Sequence, residues 1–131
     1  MDHYVAPVLV IDDNQDIREG WAKVLQAEGF AVVTAQHGRE ALTMLRDGLK
    51  PCIIIIDLMM PVMNGFEFRF EQLRDPGLAH IPVIACSGIT DTAQTAKHLK
   101  PNACMQKPAE VSHLVALVRQ HCLKPDPAYL N

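Results

Sequence analysis

Short runs of consecutive apolar residues, rich in Val and Ile, recur along this chain between longer stretches whose apolar residues fall three and four apart. The first pattern suits a strand buried on both faces, and the second suits one face of a helix. Their alternation restricts the chain to strand–helix repeats with parallel pairing, because neighbouring parallel strands need a crossover long enough to hold a helix. Five strands follow from the runs Val8–Ile11, Ala31–Ala35, Cys52–Ile56, Ile81–Cys86 and Ala103–Gln106. Cys52–Ile56, apolar at every position, is the strand expected at the centre.

The helices between them are marked by Ile17, Trp21, Val24 and Leu25, by Ala41, Leu42 and Leu45, and by a segment from about Gly65 to Leu73. A short fourth helix with a thin apolar face is expected over Thr90–Leu99, stopped by Pro101, and a last one carries Val111, Leu114, Val115, Val118 and Cys122. No second composition regime and no internal repeat interrupts the pattern. A single three-layer α/β domain is expected, with a core over about residues 6–123 and a tail over 124–131.

Composition narrows the function classes. With 131 residues, 49 % apolar and 21 % charged, the chain has enough apolar surface for one core and is not of the disordered type. The net charge is −3 and no stretch gathers basic residues with interleaved aromatics, so contact with nucleic acid is not expected. No apolar run has membrane length, and Asp12 and Asp13 arrive before a signal-like segment can form, so a cytoplasmic protein without membrane contact is expected. Cysteines at 52, 86, 104 and 122 match no zinc motif and are expected as reduced, mostly buried thiols. The six histidines are scattered and read as ordinary surface or partly buried residues.

In open parallel sheets, ligands bind at the carboxyl ends of the strands. Strand one runs into Asp12 and Asp13, strand three into Asp57, strand four into Ser87 and strand five into Lys107-Pro108, while strand two ends in Thr34 and Ala35. In the flavodoxin-like order 2-1-3-4-5 the four contributing strands are neighbours. Strands three and five then stand roughly 10 Å apart, a gap a lysine stem largely crosses. Taken singly, Asp12 or Asp13 could merely cap the next helix, and Ser87 and Lys107 could be solvated surface groups. Taken together, three clustered carboxylates repel one another unless a cation joins them. Mg²⁺ takes oxygen ligands from one or two carboxylates and is commonly paired with phosphate. A carboxylate can itself accept a phosphoryl group as an aspartyl phosphate.

These residues resemble the receiver domain of two-component response regulators, of the single-domain, chemotaxis-receiver-like kind. The likeness runs from about Ala6 to Leu123. It rests on Val8-Leu-Val-Ile-Asp-Asp13, on Ile54-Ile-Ile-Asp57-Leu-Met-Met-Pro61-Val-Met-Asn-Gly65, on Ser87-Gly88 and on Lys107-Pro108. The resemblance implies a (βα)5 flavodoxin-like fold of order 2-1-3-4-5. It implies that Asp57 accepts a phosphoryl group from a phosphohistidine on a sensor histidine kinase or histidine phosphotransfer protein. Mg²⁺ would be held by Asp13 and Asp57, by Asp12 largely through water, and by the Met59 backbone carbonyl. Lys107 and Ser87 would bind phosphoryl oxygens, and the Lys107–Pro108 peptide would be cis. Such a protein catalyses its own phosphorylation and dephosphorylation and turns over no external substrate. A downstream protein would dock on the face of the Thr90–Leu99 helix, strand five and the last helix.

The sequence departs from the family pattern at Cys104, where Tyr, Phe or His is usual, at Gly88 and at Ala109, and the stretch from Ser87 to Lys107 is about two residues short. These departures leave the phosphoryl chemistry in place and alter the output coupling. Met59 and Ile89, both apolar, flank the path of the hydrolytic water in this family and predict slow loss of phosphate. Alternatives carry different signatures. A haloacid-dehalogenase-type phosphatase needs Asp-x-Asp after strand one, a flavin carrier needs a Ser/Thr-rich phosphate loop there, and a degenerate receiver would lack some of Asp12, Asp13, Asp57, Ser87 and Lys107. The tail after Lys124 is too short for a DNA-binding output domain, so a stand-alone receiver, a relay or an excised receiver is expected.

Overall fold

The computed structural model of the chain describes residues 6–58, 60, 62–87, 103–106 and 111–122, with the backbone alone at Ser87, residues 103–106 and Val111. Along the chain come β1 (Val8–Ile11), α1 (Gln15–Ala27), β2 (Val32–Ala35), α2 (Gly38–Arg46), β3 (Ile53–Asp57), α3 (Gly65–Arg74), β4 (Val83–Ser87), β5 (Ala103–Gln106) and a C-terminal helix, α4 (Val111–Cys122). Every strand pairing is parallel, as the apolar pattern predicts, and the sheet order is β2-β1-β3-β4-β5, as the family resemblance implies. The helix expected over Thr90–Leu99 lies outside the described residues.

Alternate residues of each strand feed opposite faces. Leu9, Ile11, Ile54 and Ile56 pack with Ala41, Leu42 and Leu45 of α2 and Phe68 of α3. Val8, Val10, Ile53 and Ile55 pack on the other face with Leu25 of α1 and Leu114 and Val118 of α4. The central strands are thus buried on both sides, which is why β1 and β3 read as unbroken apolar runs. Among the described residues no helix is long and apolar enough to cross a membrane.

Three strands differ from the apolar pattern at their ends: β2 begins at Val32 rather than Ala31, and β3 and β4 are displaced toward their carboxyl ends. β3 begins one residue late and includes Asp57, whose ladder partner is Cys86. β4 begins at Val83 rather than Ile81. Ile81 is buried against the α2–α3 layer, yet its carbonyl accepts from the Gln72 side chain at 3.0 Å and so lies off the ladder. Gln72 is fully buried on α3, donates a second hydrogen bond to the Leu78 carbonyl at 2.9 Å, and accepts one from the Arg69 guanidinium at 2.7 Å. Burial alone pushes the Arg69 pKa below its ordinary value, so a polar partner there counts. Gln72→Ala takes the side-chain donor from the buried Ile81 carbonyl, leaves the Leu78 carbonyl with the Ile81 amide, and removes one acceptor from Arg69. A loss of about 2 kcal/mol is expected in urea titrations, with the slope m unchanged.

The cysteines correct the sequence reading. Cys52 and Cys122 form a disulfide, with Cα atoms 5.2 Å apart across a separation of 70 residues, while Cys86 is buried and not disulfide-bonded. Spacing along the chain gives no sign of this pair, because the end of the last helix returns beside the start of β3 only once the sheet has formed. Closing a loop of that length stabilises the fold by about 4 kcal/mol in the chain-entropy model. Arg119, on the same helix, pairs with Glu28 beyond the end of α1, and its guanidinium lies 5.9 Å from the centroid of the Phe30 ring.

Candidate functional site

The register of β1 on β3 pairs Ile11 with Ile56, so the next residues, Asp12 and Asp57, leave the sheet side by side. Asp12 and Asp57 are buried, Asp13 is exposed, and one carboxylate oxygen from each lies within 4.8 Å of the others. The three acids read from the sequence as one cluster are one cluster.

The structure also decides whether the acid pair serves as a helix cap. Asn14 caps α1, its side chain accepting from the Ile17 amide at 3.1 Å. Asp12 is held by two neighbours: its carboxylate accepts from the Asn14 amide at 2.9 Å, and its backbone carbonyl accepts from the Arg18 guanidinium at 2.8 Å. Asn14 and Arg18 are supporting residues that the sequence reading missed. Asn is a favoured cap residue, so the first had a signal. Arg18, one helical turn into α1, had none. His37, read as an ordinary histidine, caps α2 by accepting from the Glu40 amide at 3.2 Å through Nδ1.

Three carboxylates this close repel one another, and a cation between them offsets that repulsion. The donor set, all carboxylate oxygen and open to solvent on the Asp13 side, fits a hard divalent ion that keeps part of its water shell, which is the habit of Mg²⁺. Asp13→Asn removes one charge from the cluster. It is expected to raise the metal-free Tm slightly, through up to ~1 kcal/mol of relieved repulsion, and to weaken the Mg²⁺-induced Tm shift at least about tenfold in metal concentration. Thermal melts across a Mg²⁺ series check both signs.

The loop from Leu58 to Asn64 is gripped at two glycines. The Gly65 amide donates to the Leu58 carbonyl at 3.0 Å, and the Gly38 amide at the start of α2 donates to the Met63 carbonyl at 3.2 Å. Neither glycine leaves space for a side chain. A Cβ on Gly65 would stand 2.8 Å from Leu58 Cα and 2.9 Å from the Asp57 carbonyl, and one on Gly38 would stand 3.0 Å from Met63 Cγ. Beyond the loop, Asn64 and Glu67 form a reciprocal cap at the start of α3. Within it, Val62 holds φ at 69° and is 65 % exposed, a conformation that costs a β-branched residue energy and that a rigid surround must maintain.

The remaining expected site residues are placed only in part. β4 ends at Ser87, one residue past the Asp57–Cys86 pair, and Ser87 pairs with Gln106 on β5. The Ser87 backbone therefore ends its strand at the same edge of the sheet as the acids, while its side chain, together with Met59 and Lys107, lies outside the described residues. The Cys104 side chain, at the expected toggle position, is outside them as well.

Comparison with known proteins agrees with this geometry. The family model of the response regulator receiver domain matches residues 8–119. The DNA-binding response regulator MtrA of Mycobacterium tuberculosis is 33 % identical over 128 residues, which cover 96 % of this chain and 54 % of MtrA. The chain thus spans about half the length of that relative. An uncharacterized 14.6 kDa protein of Leptolyngbya boryana is 33 % identical over 122 residues, 92 % of either chain. Among solved structures, the response regulator receiver protein of Pseudomonas putida superposes with a TM-score of 0.82 at 27 % identity, over 91 % of this chain and 99 % of that one. The chemotaxis protein CheY4 of Vibrio cholerae gives 0.80 at 28 % identity, over 90 % and 99 %. With this sheet order, this acid triad and a matching family model over most of its length, the chain belongs to the response regulator receiver domain family.

Proposed function

We propose that Asp57 is a phosphoacceptor that takes its phosphoryl group from a phosphohistidine on a sensor histidine kinase or phosphotransfer protein in the cytoplasm. The observation that carries this reading is the carboxylate triad of Asp12, Asp13 and Asp57 at the ends of two adjacent central strands. An Asp57 carboxylate oxygen attacks phosphorus, the P–N bond to the imidazole breaks, and the ring nitrogen leaves with the bonding pair. Such a transfer asks the protein chiefly for position and charge compensation. Asp12 and Asp57, fixed by strand pairing, supply position. Asp12, Asp13 and Asp57, with the Met59 carbonyl, would hold Mg²⁺, which when bound offsets the negative charge of acids and phosphoryl group together. Lys107 and the Ser87 hydroxyl supply the remaining donors to the phosphoryl oxygens.

The phosphoryl group adds nearly two negative charges, which a loop following β4 would bind through Ser87, shifting the face of the Thr90–Leu99 segment, β5 and α4 toward a downstream protein. Cys104 on β5 replaces the bulky ring that usually turns inward with that loop, so this chain couples site to surface through a smaller side chain. Turnover of an external phosphomonoester is disfavoured, since the acids after β1 are adjacent rather than spaced as Asp-x-Asp.

The test is incubation of the chain with Mg²⁺ and a small acyl phosphate, followed by intact mass and peptide mapping after borohydride trapping. One phosphoryl group, mapped to Asp57 and lost when EDTA replaces Mg²⁺, is expected. Label at another residue, or none, overturns the reading. Apolar Met59 should also make the phosphoprotein long-lived. Met59→Asn is expected to shorten its half-life several-fold in a first-order decay assay, and an unchanged half-life removes Met59 from the water path.

A further inference from the structure

We propose that Cys52 and Cys122 form a reversible redox site, a disulfide that clamps the last turn of α4 to the start of β3 and that small or protein-borne thiols can open. This inference does not depend on the phosphoacceptor reading. Cys52 directly precedes β3, and Cys122 is the last residue of α4, with the two Cα atoms 5.2 Å apart. Both residues are only partly buried, so an attacking thiolate has a solvent side from which to approach. By contrast, Cys86, which lies outside this disulfide, is buried within the sheet.

The reduced state is provided for. Cys52 Sγ lies 3.3 Å from the Ala6 carbonyl, an acceptor ready for the S–H that reduction creates. The body of α4 does not hang on the disulfide either: Leu114 and Val118 are fully buried on the sheet, and Arg119 pairs with Glu28. Opening the bond therefore releases the end of the helix and leaves its centre docked. Disulfides in reducing compartments are chiefly transient or redox-sensing, and a partly exposed pair joining two elements that stay folded without it fits that class.

The exchange balances simply. A thiolate of the reductant attacks one sulfur, the S–S bond breaks, and the other cysteine leaves as a thiolate that takes up a proton. A second reductant thiolate then attacks the mixed disulfide and frees the first cysteine, so two electrons reach the protein and the reductant departs as its own disulfide.

The experiment uses the whole chain, purified without reductant, denatured in N-ethylmaleimide and mapped by mass. Label at Cys86 and Cys104 but not at Cys52 or Cys122 is expected, with all four labelled after dithiothreitol. In glutathione buffers of stepped ratio, Cys52 and Cys122 should become labelled together. The wild-type Tm should fall by about 10 °C on reduction. Cys52→Ser and Cys122→Ser should show the lower Tm in either condition, and Cys86→Ser should still respond. Full labelling of Cys52 and Cys122 without reductant overturns the site, as does a different pairing. A bond that stays closed at every glutathione ratio overturns its reversibility, and an unchanged wild-type Tm on reduction overturns the clamp. The labelling decides on wild-type protein even where a serine variant fails to fold.

Discussion

Asp57→Ala is expected to take up no phosphoryl group from a small acyl phosphate under conditions in which the wild type is fully labelled. No other carboxylate can replace it. Asp12, the other buried acid of the cluster, has its carboxylate engaged by the Asn14 amide, and Asp13 is exposed at the rim. A nucleophile must stand in line with the breaking bond, and displacement by one strand spacing, roughly 4.8 Å, is far outside a reactive geometry. Loss of uptake should come with a retained fold, because Asp57 ends its strand and its ladder bonds are made by the backbone. Intact mass and far-ultraviolet circular dichroism on the same sample separate the two. Labelling of Asp57→Ala at wild-type extent would move the acceptor elsewhere.

The largest effect on stability is expected at Gly65. In Gly65→Ala the new Cβ meets Leu58 Cα at 2.8 Å and the Asp57 carbonyl at 2.9 Å, both backbone atoms at the strand end that carries Asp57. Flexible side chains can swing aside, but backbone inside a sheet can do so only by breaking its pairing. A cost of about 3 kcal/mol is expected, and phosphoryl uptake should slow as the Asp57 end shifts. Gly20→Ala is the matched control. Gly20 lies inside α1 with nothing within 4 Å of its Cβ position, so Ala there should stabilise by about 0.5–1 kcal/mol. Equal effects at the two sites would show that helix propensity, and not the close approach, governs Gly65.

The glycines show where a one-dimensional reading stops. Gly65 was legible as part of a motif, yet Gly65 and Gly38 both let separate segments touch the loop from Leu58 to Asn64, a relation set by packing. Strand identity was legible because burial on both faces writes itself as unbroken runs such as Ile53–Ile56, while the strand order came with the resemblance to the receiver family. The shifted start of β4 was not legible. Ile81 is as apolar as a strand residue, and only the buried Gln72 shows that its carbonyl is taken. Asp12 and Asp57 could be placed together from strand order alone. The division of labour at β1, with Asn14 capping and Asp12 held by Arg18, needed coordinates. The disulfide was illegible for the plainest reason: its partners are 70 residues apart and no local pattern connects them.

The sheet order also governs which molecules can reach Asp57. After β1 the chain turns outward to β2 through α1 on one face, and after β3 it turns the other way to β4 through α3 on the opposite face. The two connections part directly above the acids, and the cleft between them owes its width to the route of the chain. On the proposed function, a phosphohistidine on another protein would reach Asp57 through this gap. Discrimination among donors then falls to the banks of the gap, α1 on one side and the loop carrying exposed Val62 on the other, so changes on those banks should alter which donor is accepted while leaving the transfer itself untouched.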